Sequence, residues 1–164
     1  MITHKELLER LYYDKDTGVF TWVDAGPRHK RLNESEASPN SYDKDGYKFL
    51  KINGRSYRRS RLAWFYVYGI WPKVVDHIDH NITNDAIENL RDVSYAENSQ
   101  NQVAAHKDSS HGYFGVRYNA IKKRWQARIQ INGKRISLGG FNTPQEAHDE
   151  YLTAKRELHR TCTI

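Results

Sequence analysis

Residues 76–101 read DHIDHNITNDAIENLRDVSYAENSQN, and the fold of this chain turns on how they are read. The β-branched pair Val74-Val75 just before them predicts a short strand that delivers Asp76-His77 at its end. Asn81 to Asp85 predicts a loop, and Leu90 to Val93 a second strand. Ser94 with Glu97 three residues later forms a capping box, so a helix is expected through about Ala104. Asn98 falls in its first turns. Asn89 stands thirteen residues after Asp76, and Asn98 nine further on. The expected order is strand, loop, strand, helix.

A carboxylate, an imidazole and an amide at these spacings suit a small metal-dependent phosphodiesterase site. Cutting a phosphodiester needs an activated water, a cation on the phosphate and fixed geometry. A neutral histidine takes a proton from water near physiological pH. Oxygen donors such as Asp76 and Asn98 suit Mg²⁺ or Mn²⁺, which retain water positions for phosphate oxygens. Along a strand His77 points away from Asp76, so it is free to address the water instead of the ion.

Working outward, the composition limits the rest. The 164 residues are 38% hydrophobic, and mean hydropathy is −0.88, which favours small modules over one large core. The many aromatics (11 Tyr, 5 Phe, 4 Trp) suit such modules, because each ring buries a large area. Cys162 is the single cysteine, which excludes disulfide frameworks and cysteine-based zinc sites. No apolar run spans a membrane and no signal-peptide segment opens the chain. The expected location is the cytoplasm, that of the host cell if the protein is phage-encoded.

Net charge is +6. Residues 1–110 balance at 16 basic and 16 acidic, whereas residues 111–164 carry ten basic against four acidic. Within the first part, residues 44–73 hold eight basic residues and one acid, and residues 76–97 hold six acids and Arg91 alone. A basic surface beside an acidic pocket suits a polyanion next to a divalent cation. Arg91 pairs with phosphate or with a neighbouring carboxylate, and the structural pair is favoured.

Upstream, residues 3–13 predict a helix with Leu7, Leu8 and Leu11 on one face and Thr3 as its cap. Residues 14–18 predict a turn, Val19–Val23 a strand, and 24–45 a polar loop. Gly46–Ile52 and Arg55–Arg59 predict a hairpin about Asn53-Gly54. Arg61 to Tyr68 predicts an aromatic helix. Arg58, Arg59 and Arg61 either grip a nucleic-acid backbone or solvate the helix start. Downstream, residues 105–111 predict a linker. Beyond it come strands at Gly112–Tyr118, Arg124–Ile131 and Arg135–Leu138, with a turn at Asn132-Gly133. Thr143-Pro144-Gln145-Glu146 starts a helix whose apolar stripe is Ala147, Tyr151, Ala154 and Leu158. In the second of these strands Trp125, Ala127, Ile129 and Ile131 share one face, while Arg124, Gln126, Arg128 and Gln130 share the other. Arginine and glutamine suit guanine and adenine edges. Arg117 and Arg135 join that face from the flanking strands.

Two family resemblances follow from these residues. Asp76-His77 with Glu88-Asn89-Leu90-Arg91 and Glu97-Asn98 resembles the HNH (His-Me finger, ββα-metal) endonucleases, most of all the phage and homing branch. The resemblance implies His77 as general base, Asp76 and Asn98 as metal ligands, and Asn89 as the residue that pins the loop. Ser60 stands where the family often has His, and Asp79-His80 where it usually has Asn-Gly. His80 reads as a surface-loop histidine in preference to half of a zinc pair with His77. Residues 112–160, with Gly112-Tyr113-Phe114-Gly115-Val116-Arg117, Trp125 to Ile129, Leu138-Gly139-Gly140-Phe141 and Tyr151, resemble an AP2-type DNA-binding domain. That likeness implies a three-stranded sheet in the major groove, backed by a helix. Phe114 and Arg128 depart from its usual residues.

The expected fold class is thus α+β. A lead-in region spans residues 1–73, a catalytic finger 74–104, a linker 105–111 and the AP2-like domain 112–160. The expected function is Mg²⁺- or Mn²⁺-dependent endonuclease hydrolysis of double-stranded DNA, as a nickase or with cleavage of both strands, by a monomer or weak dimer, with no membrane partner. A non-catalytic sequence-specific DNA-binding protein is the alternative.

Overall fold

The first helix is shorter than its apolar spacing predicts. In the computed structural model, which describes residues 1–100, 112–131 and 133–159, α1 (His4–Arg10) starts at Thr3, whose hydroxyl accepts the Glu6 N–H. It ends at Leu11, where the chain extends into β1 (Leu11–Tyr13) and pairs antiparallel with β2 (Phe20–Trp22). Leu11, Tyr13 and Phe20 are buried, so period-two burial across a hairpin overrides the helical periodicity there. The turn between them is held by Asp14, whose side chain accepts the N–H groups of Asp16 and Thr17.

The next hairpin joins β3 (Phe49–Ile52) to β4 (Arg55–Arg58). Asn53 and Gly54 both have positive φ, 49° and 78°, as a two-residue hairpin turn with matching twist requires. The expected strand from Gly46 begins only at Phe49, because Asp43 accepts the N–H groups of Asp45 and Tyr47 and folds that segment into a turn. Helix α2 (Arg59–Tyr68) follows directly, two residues earlier than expected. Gly69 closes it in the left-handed region.

Next come β5 (Val74–His77) and β6 (Leu90–Val93), antiparallel with Val74 opposite Val93 and His77 opposite Leu90. Asp76 and His77 form the end of β5, where the sequence places them. Helix α3 (Tyr95–Gln100) begins one residue after Ser94. The hairpin shares a core with the preceding residues: Leu90 is buried with Leu7, Leu11, Phe20, Leu50, Leu62 and Phe65, and Val75 and Ile87 pack on that cluster.

The chain divides into two compact units, Met1–Tyr95 and Ala96–Ile164, a division that falls inside the stretch 74–104. The second unit contains a three-stranded antiparallel sheet of β7 (Val116–Asn119), β8 (Arg124–Ile131) and β9 (Lys134–Phe141), backed by α4 (Pro144–Leu158). Helix α4 starts as its sequence predicts, with the Thr143 hydroxyl accepting the Glu146 N–H and Pro144 in the first turn. Its stripe differs at the end. Leu158 is 47% exposed, while Lys155 and His159 are buried, with a His159 ring nitrogen 3.1 Å from the Gln130 carbonyl oxygen. The first strand begins at Val116 and not Gly112, because Gly115 has φ 77° and packs its open Cα face on the Tyr151 ring. A Cβ there would come within 2.2 Å of that ring. The third strand runs longer than expected, through a register shift opposite Ala127 and Arg128.

The architecture is mixed α and β with small antiparallel sheets, as an α+β class requires. The expected linker 105–111, the end of the helix to Ala104, Asn132 and Cys162 lie outside the described residues. No helix among the described residues is long and apolar enough to cross a membrane.

Candidate active site

The β5–β6 register sets which way each candidate side chain faces. Asp76 lies opposite Arg91, and His77 opposite Leu90, so the two neighbours point to opposite faces of the hairpin. Asp76 is 9% exposed, and its Oδ2 accepts from Arg91 Nε at 2.8 Å and Nη2 at 2.6 Å. Arg91 therefore makes the structural pair that its acidic surroundings favour.

His77 is 4% exposed, on the face that carries Val75 and Leu90 into the core. Its Nε2 lies 3.2 Å from Asp85 Oδ1. That distance is a hydrogen bond, whose donor depends on the ring tautomer. Nδ1 makes no hydrogen bond to any described residue.

The loop from Ile78 to Asn89 is tied by its own polar side chains. Asn89 Nδ2 donates to Asp79 Oδ1 at 2.9 Å and to the Asn84 carbonyl at 2.8 Å, and its Oδ1 accepts the Asp79 N–H at 2.9 Å. The Ile78 N–H donates to the Asn89 carbonyl. Asp79 also accepts from Asn81 N–H and Asn84 Nδ2. Burial pushes the Asp79 carboxyl up, but the bonds from Asn84, Asn81 and Asn89 outweigh it and hold it below the usual carboxylate range. His80 is exposed within this loop at φ 61°, as a surface-loop histidine should be.

Asp85 has no counterpart in the sequence expectations. It is 2% exposed. Its backbone carbonyl accepts the Tyr13 hydroxyl at 2.6 Å, and burial, then the Asp85 charge, push that phenol well above its ordinary value. Gly18 lies against it so closely that a Cβ would sit 2.4 Å from the Asp85 carbonyl carbon. Arg59 is 1% exposed and brings Nε to 3.6 Å from Asp85 Oδ2, while its Nη atoms bond Glu36 and the Gly18 carbonyl. A loop aspartate that turns inward carries no local signature. The one available clue was the excess of acids over bases between residues 76 and 97.

Arg59 is thereby corrected as a nucleic-acid contact, because its guanidinium is enclosed and its donors serve the protein interior. Arg58 is half-buried, paired with Asp43 at 2.7 Å and Asp45 at 2.8 Å, and stacked over the Tyr47 ring. Arg61 is half-buried and donates to the Lys73 carbonyl. A hollow beside β5 is lined by Tyr47, Arg58, Ser60, Arg61 and Lys73. Asn98 is half-buried on α3 and belongs to the second unit.

On the sheet of the second unit, Ala127 and Ile129 are buried against α4, while Arg124, Arg128 and Gln130 are exposed on the opposite face and Gln126 is half-buried. Arg117 pairs across to Gln126 and Arg135 to Gln130, both arginines exposed. Arg128 donates to Gln126 Oε1 at 2.8 Å. None of the three strands contains an acidic residue. The face thus carries Arg117, Arg124, Gln126, Arg128, Gln130 and Arg135 with no acid on its strands.

A family model described as HNH endonuclease matches residues 57–100, the segment from β4 through α3. Protein 3.8 of Escherichia phage T7 is 32% identical over 104 residues, which covers 62% of this chain and 84% of that protein. No solved structure matches the chain.

Proposed function

This chain belongs with Protein 3.8 of Escherichia phage T7 and carries an HNH endonuclease segment at residues 57–100, and we propose that it is a metal-dependent endonuclease that hydrolyses phosphodiester bonds in duplex DNA. The β5–β6 hairpin and α3 are read as a ββα-metal finger. The sheet of the second unit and α4 are read as an AP2-like domain that holds the duplex. One observation carries the reading most. Within the matched segment, Asp76 and His77 sit on one strand while Asn89 laces the loop that follows them.

Asp76 fits a hard cation such as Mg²⁺ or Mn²⁺, since it offers a carboxylate in a sheltered position. Arg91 and the cation would share that carboxylate. The sequence spacing nominates Asn98 as the amide donor. Among the described residues no group of three or more His, Cys, Asp or Glu is placed to hold a metal. When bound, the cation supplies charge stabilisation at the phosphate and the leaving oxygen. His77 accepts a proton from water, the water oxygen bonds to phosphorus, and the P–O3′ bond breaks. The departing 3′ oxygen takes its proton from solvent. The ends are then 5′-phosphate and 3′-hydroxyl. Arg61 and Lys73, which line the hollow beside β5, contact the backbone near the cut. One site in each chain produces nicks, and a double-strand cut takes a dimer or a second event.

The test is supercoiled plasmid incubated with protein and Mg²⁺, beside the same mixture with chelator. The expected result is open-circular product only with Mg²⁺, resealed by DNA ligase because the ends are 5′-phosphate and 3′-hydroxyl. A retarded but uncut plasmid would instead make the chain a non-catalytic DNA-binding protein.

For the sheet, Arg128→Ala is expected to weaken duplex binding while thermal unfolding is unchanged, because the side chain is exposed. If Arg128 reads a base edge, the loss is about 1–3 kcal/mol and confined to particular sequences. If it meets a phosphate, the loss is uniform and the salt slope falls by roughly 0.9. Unchanged affinity on every sequence would remove this face from the interface.

A further inference from the structure

We propose that Asp85, with Arg59 behind it, is a positioning residue for His77: its carboxylate fixes the ring tautomer and leaves the basic lone pair on Nδ1. This rests on the reading of His77 as the group that accepts the water proton. The two side chains are both almost fully enclosed, and Nε2 and Oδ1 are 3.2 Å apart. An imidazole that can rotate presents either nitrogen to the water. One whose Nε2–H is donated to a fixed carboxylate presents only Nδ1.

The anchorage of Asp85 argues that this geometry is built in. Its carbonyl is held by the Tyr13 hydroxyl, and the Ile87 N–H just beyond donates to the Lys15 carbonyl. Gly18 closes on the same backbone with no room for a Cβ. The residue is thus clamped from the turn between β1 and β2, remote in sequence from β5. Such a clamp keeps Oδ1 still on the His77 ring.

The Asp85–Arg59 ion pair does not account for the whole arrangement, because it holds no hydrogen bond. Arg59 Nε stands 3.6 Å from Asp85 Oδ2, and neither atom has a hydrogen-bond partner. The hydrogen bond of the carboxylate goes to the histidine, and the guanidinium contributes charge from a distance. Oδ1 is committed to the imidazole, with Arg59 beside Oδ2. The same logic operates in Ser-His-Asp triads, where the aspartate orients the histidine without itself taking the proton.

The experiment uses the full chain with ¹⁵N-labelled histidine at mildly alkaline pH, and His77→Gln to assign the His77 ring signals. The expected signature is a ring protonated at Nε2 and bare at Nδ1. In Asp85→Asn the tautomers should mix, since an amide offers a donor as readily as an acceptor. Nicking of plasmid under Mg²⁺ supplies the second readout. Asp85→Asn should lower kcat by roughly 10²- to 10⁴-fold, as loss of tautomer control does in triads, with KM little changed, and Asp85→Glu should recover part of it. A wild-type ring protonated at Nδ1 overturns the proposal. So does an Asp85→Asn variant within twofold of wild-type kcat. The tautomer measurement needs no activity and decides the matter even where Asp85→Asn folds poorly. Failure of the wild type to nick would count against the nuclease reading alone.

Discussion

Replacing His77 by alanine is expected to slow Mg²⁺-dependent nicking by roughly 10²- to 10⁴-fold, the usual worth of a positioned general base. The alanine variant carries a second effect. It leaves Asp85 Oδ1 buried without its donor, a loss of about 1–3 kcal/mol in stability. Rate and fold would then fall together. His77→Gln separates them, because the glutamine amide donates to Asp85 but takes no proton from water near neutral pH. Both variants should lose turnover, and the alanine variant should melt at the lower temperature. Single-turnover nicking with thermal unfolding of both proteins checks this. A glutamine variant that nicks within a few-fold of wild type would remove His77 from the chemistry.

The β5–β6 hairpin was legible because its signals are local. Val74-Val75, the limits of Leu90–Val93 and the helix start after Ser94 all depend on residues within a few positions of one another. The same holds for the turn at Asn53-Gly54, the cap at Thr143 and the alternation of Ala127 and Ile129 with Arg128 and Gln130. What escaped was decided by distant partners. Tyr12 and Tyr13 left the helical pattern because β2 was available to pair with them. Lys155 and His159 displaced Leu158 from the stripe on α4, with His159 bonded to the Gln130 carbonyl. Asp85 and Arg59 meet across 26 positions, and nothing near either residue announces the contact.

The charge count was misleading for a related reason. Residues 44–73 look like a basic surface, with eight basic residues to one acid. Yet Arg58 is answered by Asp43 and Asp45, and Arg59 by Glu36 and Asp85. Those two of the eight stabilise the first unit internally and offer little to a phosphate. The sheet of the second unit differs, because β7, β8 and β9 hold no acid to answer Arg117, Arg124, Arg128 and Arg135. A charge run therefore says less about a polyanion partner than an outward face does, since only a defined face shows which charges remain for the partner.

Arg59→Leu is expected to destabilise the first unit by about 3–5 kcal/mol, the cost of stripping one partner from a buried pair. Asp85 would remain enclosed at 2% exposure with its nearest cation gone. The Gly18 carbonyl would also lose the Arg59 Nη2–H donor, now 2.7 Å away. Adding Asp85→Asn should recover part of the loss, because a neutral amide is far cheaper to bury than a lone carboxylate. Recovery should stay incomplete, since the Gly18 carbonyl remains unanswered. Urea unfolding, followed by amide exchange in β5 and β6, reads the effect where the clamp acts and keeps it apart from the second unit. If Arg59→Leu costs less than about 1 kcal/mol, Asp85 is not compensated by Arg59, since such a loss is typical of an exposed pair. If the double variant is less stable than the single one, charge burial is not what Arg59 relieves.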